Sequence, residues 1–532
     1  MGNNMKVLVA EKIAQGGIDL LKEAGYEVDV KLDLAADELI SVIPNYEALI
    51  VRSATQASRE VIEAGTNLKI IGRAGVGVDN VDVAAATQRG VIVCNAPTSN
   101  IVSACEQTFA LMLASARRTA QANASMKSHK WDRGKFSGNE LYQKTLAIIG
   151  LGRIGGLVAK RALAFDMNLV GYDPYATPEH AAEIGVTLYD NLDDVLPLAD
   201  YMCVHLPKTK ETIGMFGPEQ FAKMKDGVYV VNTARGGIYN VDALAEAIKS
   251  GKVAGAGIDV YESEPCLDSP LHELDQVILT PHLGASTVEA QARAGLQIAE
   301  YVRMGLEGKM VPTAVNVALV PDDVMTAVKP FIEASQTTGV ILGQLAEAPI
   351  EALTVKVYGG LANNDVSILG TAALRGIFSL SSDDPVNFVN ANYIAERHGV
   401  TVKVEKSPVH SEYANKVTFE ALAGSQVVEV SITTSGASEE LRIVSILNYK
   451  LDLIPGKYIF IQKYEDRPGQ LGLIGTILGK ANINISTMEV GVRNEKTRMA
   501  LILMNVDEPV PTAVRNEIKQ AVGVTEGWFI QL

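Results

Sequence analysis

The sequence predicts an α/β protein with two doubly wound parallel-sheet lobes, followed by two smaller α+β units. Three observations carry this prediction. Short strands and helices alternate through residues 1–97, a glycine-rich turn joins a strand to a helix at Gly150–Gly155, and residues after Pro455 follow a β-α-β-β-α order. Alternation of strand and helix is typical of parallel sheets. The β-α-β-β-α order is typical of ferredoxin-like modules.

The first lobe is expected to bind ligands at the carboxyl ends of its strands. Its predicted strands are Val7–Ala10, Glu27–Val30, Ala48–Val51, Lys69–Gly72 and Val91–Asn95. Its predicted helices are Ile18–Ala24, Ala36–Ile43 and Glu60–Ala64. Two segments leave that edge, Arg52-Ser53-Ala54-Thr55 and Arg73–Asp79. Their small residues, free N–H groups and arginines suit a phosphate or a carboxylate. The alternative is that each arginine serves in an ordinary salt bridge.

The second lobe is organised around Gly150-Leu151-Gly152-Arg153-Ile154-Gly155. An unbroken apolar strand, Thr145–Ile149, precedes this run, and helical periodicity follows from Ile154 to Phe165. In a G-x-G-x-x-G turn the glycines allow a tight turn, close approach of a pyrophosphate, and packing of helix on strand. The next strand, Leu169–Tyr172, leads to Asp173, which is placed to bind ribose hydroxyls and to repel a 2′-phosphate. The prediction is NAD rather than NADP, and the alternative is an ordinary glycine-rich turn with a solvated Asp.

The remaining elements set the predicted domain boundaries. A long apolar helix, Ser103–Arg118, is expected to cross between the lobes, and a helix from about residue 286 to 308 leads back to the first lobe. Further strands of the second lobe are predicted at Tyr201–His205, Tyr229–Asn232, Ala256–Asp259 and Val277–Thr280. The predicted domains are 1–97 with 289–318, 98–288, 319–453 and 454–532.

Length and composition limit the class of protein. The chain has 532 residues, of which 47% are hydrophobic, and is expected to form three or four domains. Its net charge of −15, without a basic cluster, argues against binding to nucleic acid or to anionic membranes. No apolar run approaches the ~20 residues of a membrane span. Because the cysteines are scattered, we expect neither disulfides nor a zinc site. Because the chain enters a strand almost at once, we expect no signal peptide. Together these expectations favour a cytoplasmic protein.

Three polar side chains follow strands of the second lobe, where a nicotinamide ring is expected to lie. Arg235 has the planar fork that binds a substrate carboxylate. His282 carries an imidazole suited to removing a hydroxyl proton as hydride leaves carbon. A carboxylate on the other ring nitrogen would fix its tautomer, and Glu264 is the candidate. Spacing does not exclude Glu262, and His282 taken alone is also compatible with a structural role.

Other residues at these strand ends are expected to line the cofactor crevice. Asp259 is placed to accept a hydrogen bond from the nicotinamide carboxamide, and His205 is either a crevice residue or a structural one. The predicted cofactor contacts are Val76, Gly150, Gly152, Arg153, Ile154, Gly155, Asp173, His205, Leu206, Thr233, Ala234, Arg235, Asp259, His282, Gly284 and Ala285. The histidines expected to be ordinary surface or loop residues are His129, His180, His272, His398 and His410. No metal site is expected.

Residues 5 to about 318 resemble the D-isomer-specific 2-hydroxyacid dehydrogenase family. The runs that carry the resemblance are Gly72–Asp82, Leu146–Gly155, Val231–Gly237, Ala256–Pro265 and Thr280–Thr287. The resemblance implies an enzyme that transfers a hydride between a 2-hydroxy acid and NAD. It further implies that Arg235 anchors the substrate, that His282 is the acid/base, and that Glu264 rather than Glu262 is its partner.

The rest of the chain resembles the long members of this family. Asp384–Ala391 is similar to their intervening domain, and Asp466–Gly472 with Asn482–Ile485 resembles an ACT domain. This resemblance implies NAD-dependent oxidation of 3-phosphoglycerate to 3-phosphohydroxypyruvate, the first committed step of serine synthesis. The substrate contacts that go with it are Arg52, Ser53, Ala54, Thr55, Arg73, Gly75 and Val76.

The ACT resemblance also implies regulation and assembly. Such modules commonly bind an amino acid between paired copies, so a homodimer or homotetramer with serine as effector is expected, with contacts at Asp466 and Asn484. Position 466 is often Asn in serine-sensitive forms, whereas this chain has Asp. Two alternatives stay open: another D-2-hydroxyacid dehydrogenase such as a hydroxypyruvate or glyoxylate reductase, and a non-catalytic scaffold that senses NADH.

Overall fold

The computed structural model describes residues 5–317, 322–380, 385–409, 412–435, 439–492 and 498–532. Four sheets organise these residues, and the predicted fold class is confirmed. The predicted boundary at 318–319, Asp384 of the intervening-domain run and His410 lie outside the described residues. Among the helices that the structure describes, none combines the length and apolar character needed to cross a membrane.

The first sheet has five parallel strands in the order β2-β1-β3-β4-β5. Its elements are β1 (Lys6–Val9), α1 (Gln15–Glu23), β2 (Glu27–Val30), α2 (Ala36–Val42), β3 (Ala48–Val51), α3 (Arg59–Ala64), β4 (Ile70–Arg73), α4 (Val83–Gln88) and β5 (Ile92–Asn95). The central strands are buried apolar runs, as expected for a parallel sheet covered on both faces. Because β1, β3 and β4 are neighbours, the segments that follow them meet at one edge.

The second sheet has seven parallel strands. Its elements, with the helices on either side, are α5 (Ile101–Arg117), α6 (Thr119–Lys127), β6 (Thr145–Ile149), α7 (Arg153–Leu163), β7 (Asn168–Tyr172), α8 (Pro178–Glu183), β8 (Thr187–Tyr189), α9 (Leu192–Val195), β9 (Tyr201–Val204), α10 (Pro218–Lys223), β10 (Val228–Asn232), α11 (Val241–Lys249), β11 (Val253–Ile258), β12 (Val277–Leu279) and α12 (Val288–Leu306). The order is β12-β11-β10-β9-β6-β7-β8. The chain order reverses between β6 and β9, and this switch point is where such folds bind nucleotides.

Helix α12 returns to the first lobe. Gly17 of α1 and Gly295 of α12 lie against each other, so that a Cβ on Gly17 would overlap the Gly295 carbonyl group. Farther along the chain, Asn316 Oδ1 accepts a hydrogen bond from Val93 N of β5 at 2.9 Å. Residues 288–317 therefore pack with the first sheet, although they follow the second sheet in sequence.

The third and fourth sheets lie in the C-terminal part of the chain. Their elements are α13 (Asp322–Leu345), β13 (Ile350–Gly359), α14 (Ser367–Phe378), α15 (Ala391–Arg397), β14 (Thr401–Ser407), β15 (Asn415–Ala423), β16 (Gln426–Ser435), β17 (Glu440–Ile446), β18 (Tyr449–Leu453), β19 (Tyr458–Glu465), α16 (Gln470–Lys480), β20 (Ile485–Val492), β21 (Met499–Val506), α17 (Thr512–Val522) and β22 (Glu526–Gln531). The orders are β14-β13-β15-β16-β17-β18 and β20-β21-β19-β22. Helix α13 packs against both sheets, and apolar residues of both contribute to one core.

Two features of this region differ from the sequence prediction. Between residues 350 and 450 the structure has the helices α14 and α15, which the α+β class predicted for this unit implies but which the sequence analysis does not locate. Helix α14 is buried on nearly all sides, so no polar stripe marks its helical period. The last module also ends in the strand β22, which the sequence analysis does not include.

Candidate active site

A cleft of about 460 Å³ lies between the two parallel-sheet lobes. Arg52, Ser53, Arg73 and the loop 74–77 line it from the first lobe. Arg235, Glu264, His282 and Ala285 are among the residues that line it from the second. The structure thus brings most of the predicted substrate residues and all three predicted catalytic residues to one cavity.

His282 and Glu264 form a hydrogen-bonded pair in this cleft. His282 Nδ1 lies 2.7 Å from Glu264 Oε2, and both side chains are partly exposed to the cavity. The backbone N–H of Tyr261 donates to Glu264 Oε1 at 3.0 Å, which orients the carboxylate. Glu262 also lines the cleft, but the hydrogen bond to the imidazole is made by Glu264. The imidazole is held through Nδ1, which leaves Nε2 as the nitrogen available to a substrate.

Asp259 holds the loop that carries His282. Its carboxylate is fully buried and accepts hydrogen bonds from Leu283 N at 2.7 Å, Gly284 N at 2.8 Å and Thr280 Oγ1 at 2.5 Å. These donors are neutral, so they stabilise a buried charge by hydrogen bonding alone. The contact between Asp259 and a nicotinamide carboxamide stays a prediction. The role visible in the structure is to fix the turn on either side of His282.

Arg235 is positioned by contacts between two backbone segments. Asn232 braces its loop, since Asn232 Oδ1 accepts from Ala234 N at 3.0 Å and Asn232 Nδ2 donates to the Arg235 carbonyl oxygen at 2.9 Å. Gly236 lies against the Tyr261 carbonyl group so closely that a Cβ there would overlap it. This close approach holds the Arg235 loop beside the Glu264 loop. The guanidinium reaches the first lobe, where Nη2 would lie 2.9 Å from a Cβ placed on Gly77.

Arg73 adds a second guanidinium to the cleft. It is largely buried, and its Nε has no hydrogen-bond partner among the described residues. Burial, and next the nearby charge of Arg235, lower the pKa of Arg73. Two guanidinium groups that repel each other across a cavity make a strongly attractive place for an anion.

The prediction that the Arg52–Thr55 loop offers free N–H groups to an anion is corrected by Glu11. A single oxygen of Glu11, Oε1, accepts hydrogen bonds from Arg52 N at 2.8 Å, Ala54 N at 3.1 Å and Thr55 N at 2.8 Å. The anion bound by these backbone N–H groups is therefore the Glu11 carboxylate of the protein itself. Arg52 and Ser53 still line the cleft, whereas Ala54 and Thr55 serve the Glu11 contact.

The glycine-rich loop lies at the switch point between β6 and β9. Gly150 has φ of 96°, and a Cβ there would lie 2.7 Å from the His205 carbonyl oxygen. A Cβ on Gly155 would overlap the Gly150 carbonyl oxygen, so this glycine is required for α7 to pack. Gly152, before the first turn of α7, has open space at its Cβ position. Arg153 and Ile154 begin the helix. This loop fits the pyrophosphate of a dinucleotide.

Asp173 lies directly against this loop. Its Oδ2 accepts a hydrogen bond from Leu151 N at 2.8 Å, and its Oδ1 accepts from Tyr175 N at 2.9 Å. His180, expected to be an ordinary surface residue, is also part of this cluster, because its Nε2 lies 3.2 Å from the Leu151 carbonyl oxygen. Helix α8 has only six residues, too short for a periodic pattern to reveal which face meets the loop.

The other predicted cofactor contacts differ in what they face. The His205 imidazole is largely buried, which lowers its pKa to about 4, and its buried Nε2 has no partner among the described residues. Leu206 packs beside Gly150. Thr233 turns toward α5, where its Oγ1 lies 2.7 Å from Thr108 Oγ1, and Ala234 accepts from Arg235 Nη1 at 2.8 Å.

The two predicted effector residues lie at opposite ends of the last sheet. Asp466 follows β19, whose end pairs with Met499 at the start of β21. Asn484 precedes β20, and its N–H donates to Asp507 Oδ1 at 2.9 Å, just past the end of β21. A strand of eight residues spans about 27 Å. One copy of the chain therefore does not bring Asp466 and Asn484 together.

Replacing Asp173 with alanine should raise the KM for NAD by about 10- to 100-fold, because hydrogen bonds to a charged group are lost. Removing the carboxylate also removes repulsion toward a 2′-phosphate, so the preference for NAD over NADP should fall. Initial rates with each cofactor measure both effects. Asp190→Ala, at an exposed position of the same lobe, is the matched control. An unchanged cofactor preference in Asp173→Ala would contradict the assignment.

Comparison with known proteins places the chain among dehydrogenases. Family models described as "D-isomer specific 2-hydroxyacid dehydrogenase, NAD binding domain", "D-3-phosphoglycerate dehydrogenase intervening domain" and "ACT domain" match residues 109–284, 327–447 and 457–523. A D-3-phosphoglycerate dehydrogenase of Mycobacterium leprae is 45% identical over 98% of each chain, and one of Archaeoglobus fulgidus is 43% identical over 99% of this chain and 100% of its own.

A solved structure shows how much of the architecture is shared more widely. The glyoxylate reductase from Paecilomyes thermophila is 29% identical, with a TM-score of 0.54, and covers 59% of this chain and 99% of its own length. The sequence relatives and the solved structure are dehydrogenases or reductases, which agrees with the geometry of the cleft and of the glycine-rich loop. The chain belongs to the family of the D-3-phosphoglycerate dehydrogenases, NAD-dependent members of the D-isomer specific 2-hydroxyacid dehydrogenases.

Proposed function

We propose that the protein oxidises 3-phosphoglycerate to 3-phosphohydroxypyruvate with NAD, the first committed step of serine synthesis. The observation that carries the proposal is the cleft itself. It sets Arg235 and the His282–Glu264 pair against Arg52 and Arg73 of the other lobe. A substrate with a carboxylate at one end and a phosphate at the other matches this distribution of charge.

The residues of the second lobe act at the carboxylate end. Arg235 binds the substrate carboxylate through its planar fork and draws the neighbouring carbinol carbon to the imidazole. His282 accepts the hydroxyl proton at Nε2, while Glu264 fixes the tautomer and stabilises the imidazolium that forms. NAD, when bound by the Gly150–Gly155 loop and Asp173, supplies the hydride acceptor.

The residues of the first lobe act at the phosphate end. Arg52, Ser53 and Arg73 bind the phosphate, and Gly75 and Val76 line the cleft beside Arg73. The phosphate would stabilise the charge of Arg73 most strongly. This guanidinium is largely buried, and no carboxylate among the described residues is hydrogen-bonded to it. The backbone N–H groups of Ala54 and Thr55 donate to Glu11, and these hydrogen bonds stabilise the conformation of the loop.

The test is an assay of the purified chain. NAD reduction with 3-phosphoglycerate, followed by the absorbance of NADH, is the expected result. No NADH formation with 3-phosphoglycerate, together with rapid NADH oxidation by glyoxylate, would favour a glyoxylate reductase instead. The C-terminal sheets argue against that alternative, because the glyoxylate reductase structure covers only 59% of this chain.

Regulation and assembly follow from the last module. We propose four domains, 1–97 with 289–318, 98–288, 319–453 and 454–532, in a cytoplasmic homodimer or homotetramer.

An amino acid, with serine the first candidate, binds Asp466 of one copy and Asn484 of another, since these residues lie far apart within one copy. Calorimetric titration with L-serine tests this, and unchanged heats after Asn484→Ala would count against the site.

A further inference from the structure

A side pocket of about 210 Å³ opens beside the active-site cleft. The two cavities share Arg52, Ala74, Gln291 and Ala294 as lining residues. Beyond these shared residues, the segment after β1 and the first turns of α12 line the side pocket. The residues that line only the side pocket are Lys12, Ile13, Ala14, Val288 and Ala292. The two cavities are therefore neighbours, and Arg52 contacts both of them.

Among the described residues, the charged side chains that line the side pocket are both positive. Lys12 and Arg52 are its charged lining residues. Arg52 Nη1 donates to the Lys12 carbonyl oxygen at 3.3 Å, which brings the two residues side by side. Neither side chain forms an ion pair among residues 5–317, and the remaining wall is largely apolar. An apolar wall strengthens the attraction between these cations and an anion.

Glu11, the acidic residue next to Lys12, does not neutralise this site through an ion pair with it. Its Oε1 is engaged by three backbone N–H groups of the Arg52–Thr55 loop. This contact ties the segment after β1 to the loop after β3. It therefore keeps Lys12 next to Arg52 at the pocket, while the Glu11 carboxylate is hydrogen-bonded to the backbone.

The chemistry of the proposed substrate sets where its second anion must lie. The carboxylate and the hydroxyl are held by Arg235 and His282, and the phosphate is carried by the far carbon. We propose that Lys12 is a specificity-determining residue that binds the phosphate of the substrate from the side pocket, together with Arg52. This inference rests on the proposed function and adds a residue to it.

The experiment compares Lys12→Met with wild type in the full-length protein. Loss of one charge-assisted contact should raise the KM for 3-phosphoglycerate by about 10- to 100-fold, with a much smaller change in kcat. The KM for NAD should be unchanged, and inorganic phosphate should become a weaker competitive inhibitor. Lys12→Arg should restore part of the affinity. Lys22→Met, at an exposed position of α1, is the matched control and should behave as wild type.

The outcomes separate the two proposals. If wild type oxidises 3-phosphoglycerate and Lys12→Met has an unchanged KM for it, the side-pocket assignment is overturned while the proposed function stands. An equal rise in the KM for NAD would also overturn it, because Lys12 would then affect the fold rather than the phosphate. If wild type does not oxidise 3-phosphoglycerate, the proposed function itself fails.

Discussion

Replacing His282 with alanine is expected to lower kcat by about 100- to 10,000-fold, the usual contribution of a positioned general base. The affinity for NADH should stay near that of wild type, because the Gly150–Gly155 loop and Asp173 lie in a different part of the second lobe. Stopped-flow measurement of NADH formation gives kcat, and fluorescence titration gives the Kd for NADH. The large loss in rate with unchanged binding is the signature of an acid/base residue.

The chain provides two comparisons for this variant. His272→Ala, an exposed histidine of the same lobe, should leave kcat unchanged. Glu264→Gln keeps the size of the partner but removes its charge, so we expect an intermediate loss in kcat, since the imidazolium is no longer stabilised. A His282→Ala protein that keeps its turnover and loses NADH binding would contradict the assignment. One that keeps full biological function without turnover would favour the scaffold alternative.

The sequence was sufficient to predict the parallel sheets and the edge where the site lies. Short apolar strands alternating with helices specify such sheets, and Arg235 and His282 could be selected because they follow strands. The choice between Glu264 and Glu262 could not be made from spacing alone. It depends on the turn after Tyr261, whose N–H donates to Glu264 Oε1.

Other features could not be predicted because they depend on contacts between distant segments. Glu11 binds a loop that begins 41 residues later in the chain, and no local pattern shows this. The rule that residues after parallel strands meet at one edge, applied to β1, would have drawn attention to Glu11 and Lys12. The strand-end position of Asp259 could be predicted, but not the hydrogen bonds that its oxygens accept from the loop of His282.

Replacing Arg235 with glutamine is expected to lower kcat/KM for 3-phosphoglycerate by about 100- to 10,000-fold. Two hydrogen bonds to a carboxylate are lost, each of about 1.5–3 kcal/mol. Arg235→Lys keeps the charge without the planar fork, so it should recover only part of the loss. Steady-state kinetics at several NAD concentrations separate this effect from cofactor binding. A KM for 3-phosphoglycerate and a kcat both close to wild type would contradict the role of Arg235 as the anchor.

The same variant should leave the stability of the ligand-free protein undiminished. Burial is the main cause of the lowered pKa of Arg73, and the nearby positive charge of Arg235 is the next, so the two guanidinium groups repel each other across the cleft. Removing one of the two charges relieves that repulsion, so the Tm of Arg235→Gln should equal or exceed that of wild type. With 3-phosphoglycerate present the order should reverse, because the ligand stabilises the wild-type protein more strongly. Thermal unfolding with and without ligand therefore distinguishes a lost substrate contact from a damaged fold. A Tm lowered equally in both conditions would mean that Arg235 is mainly structural.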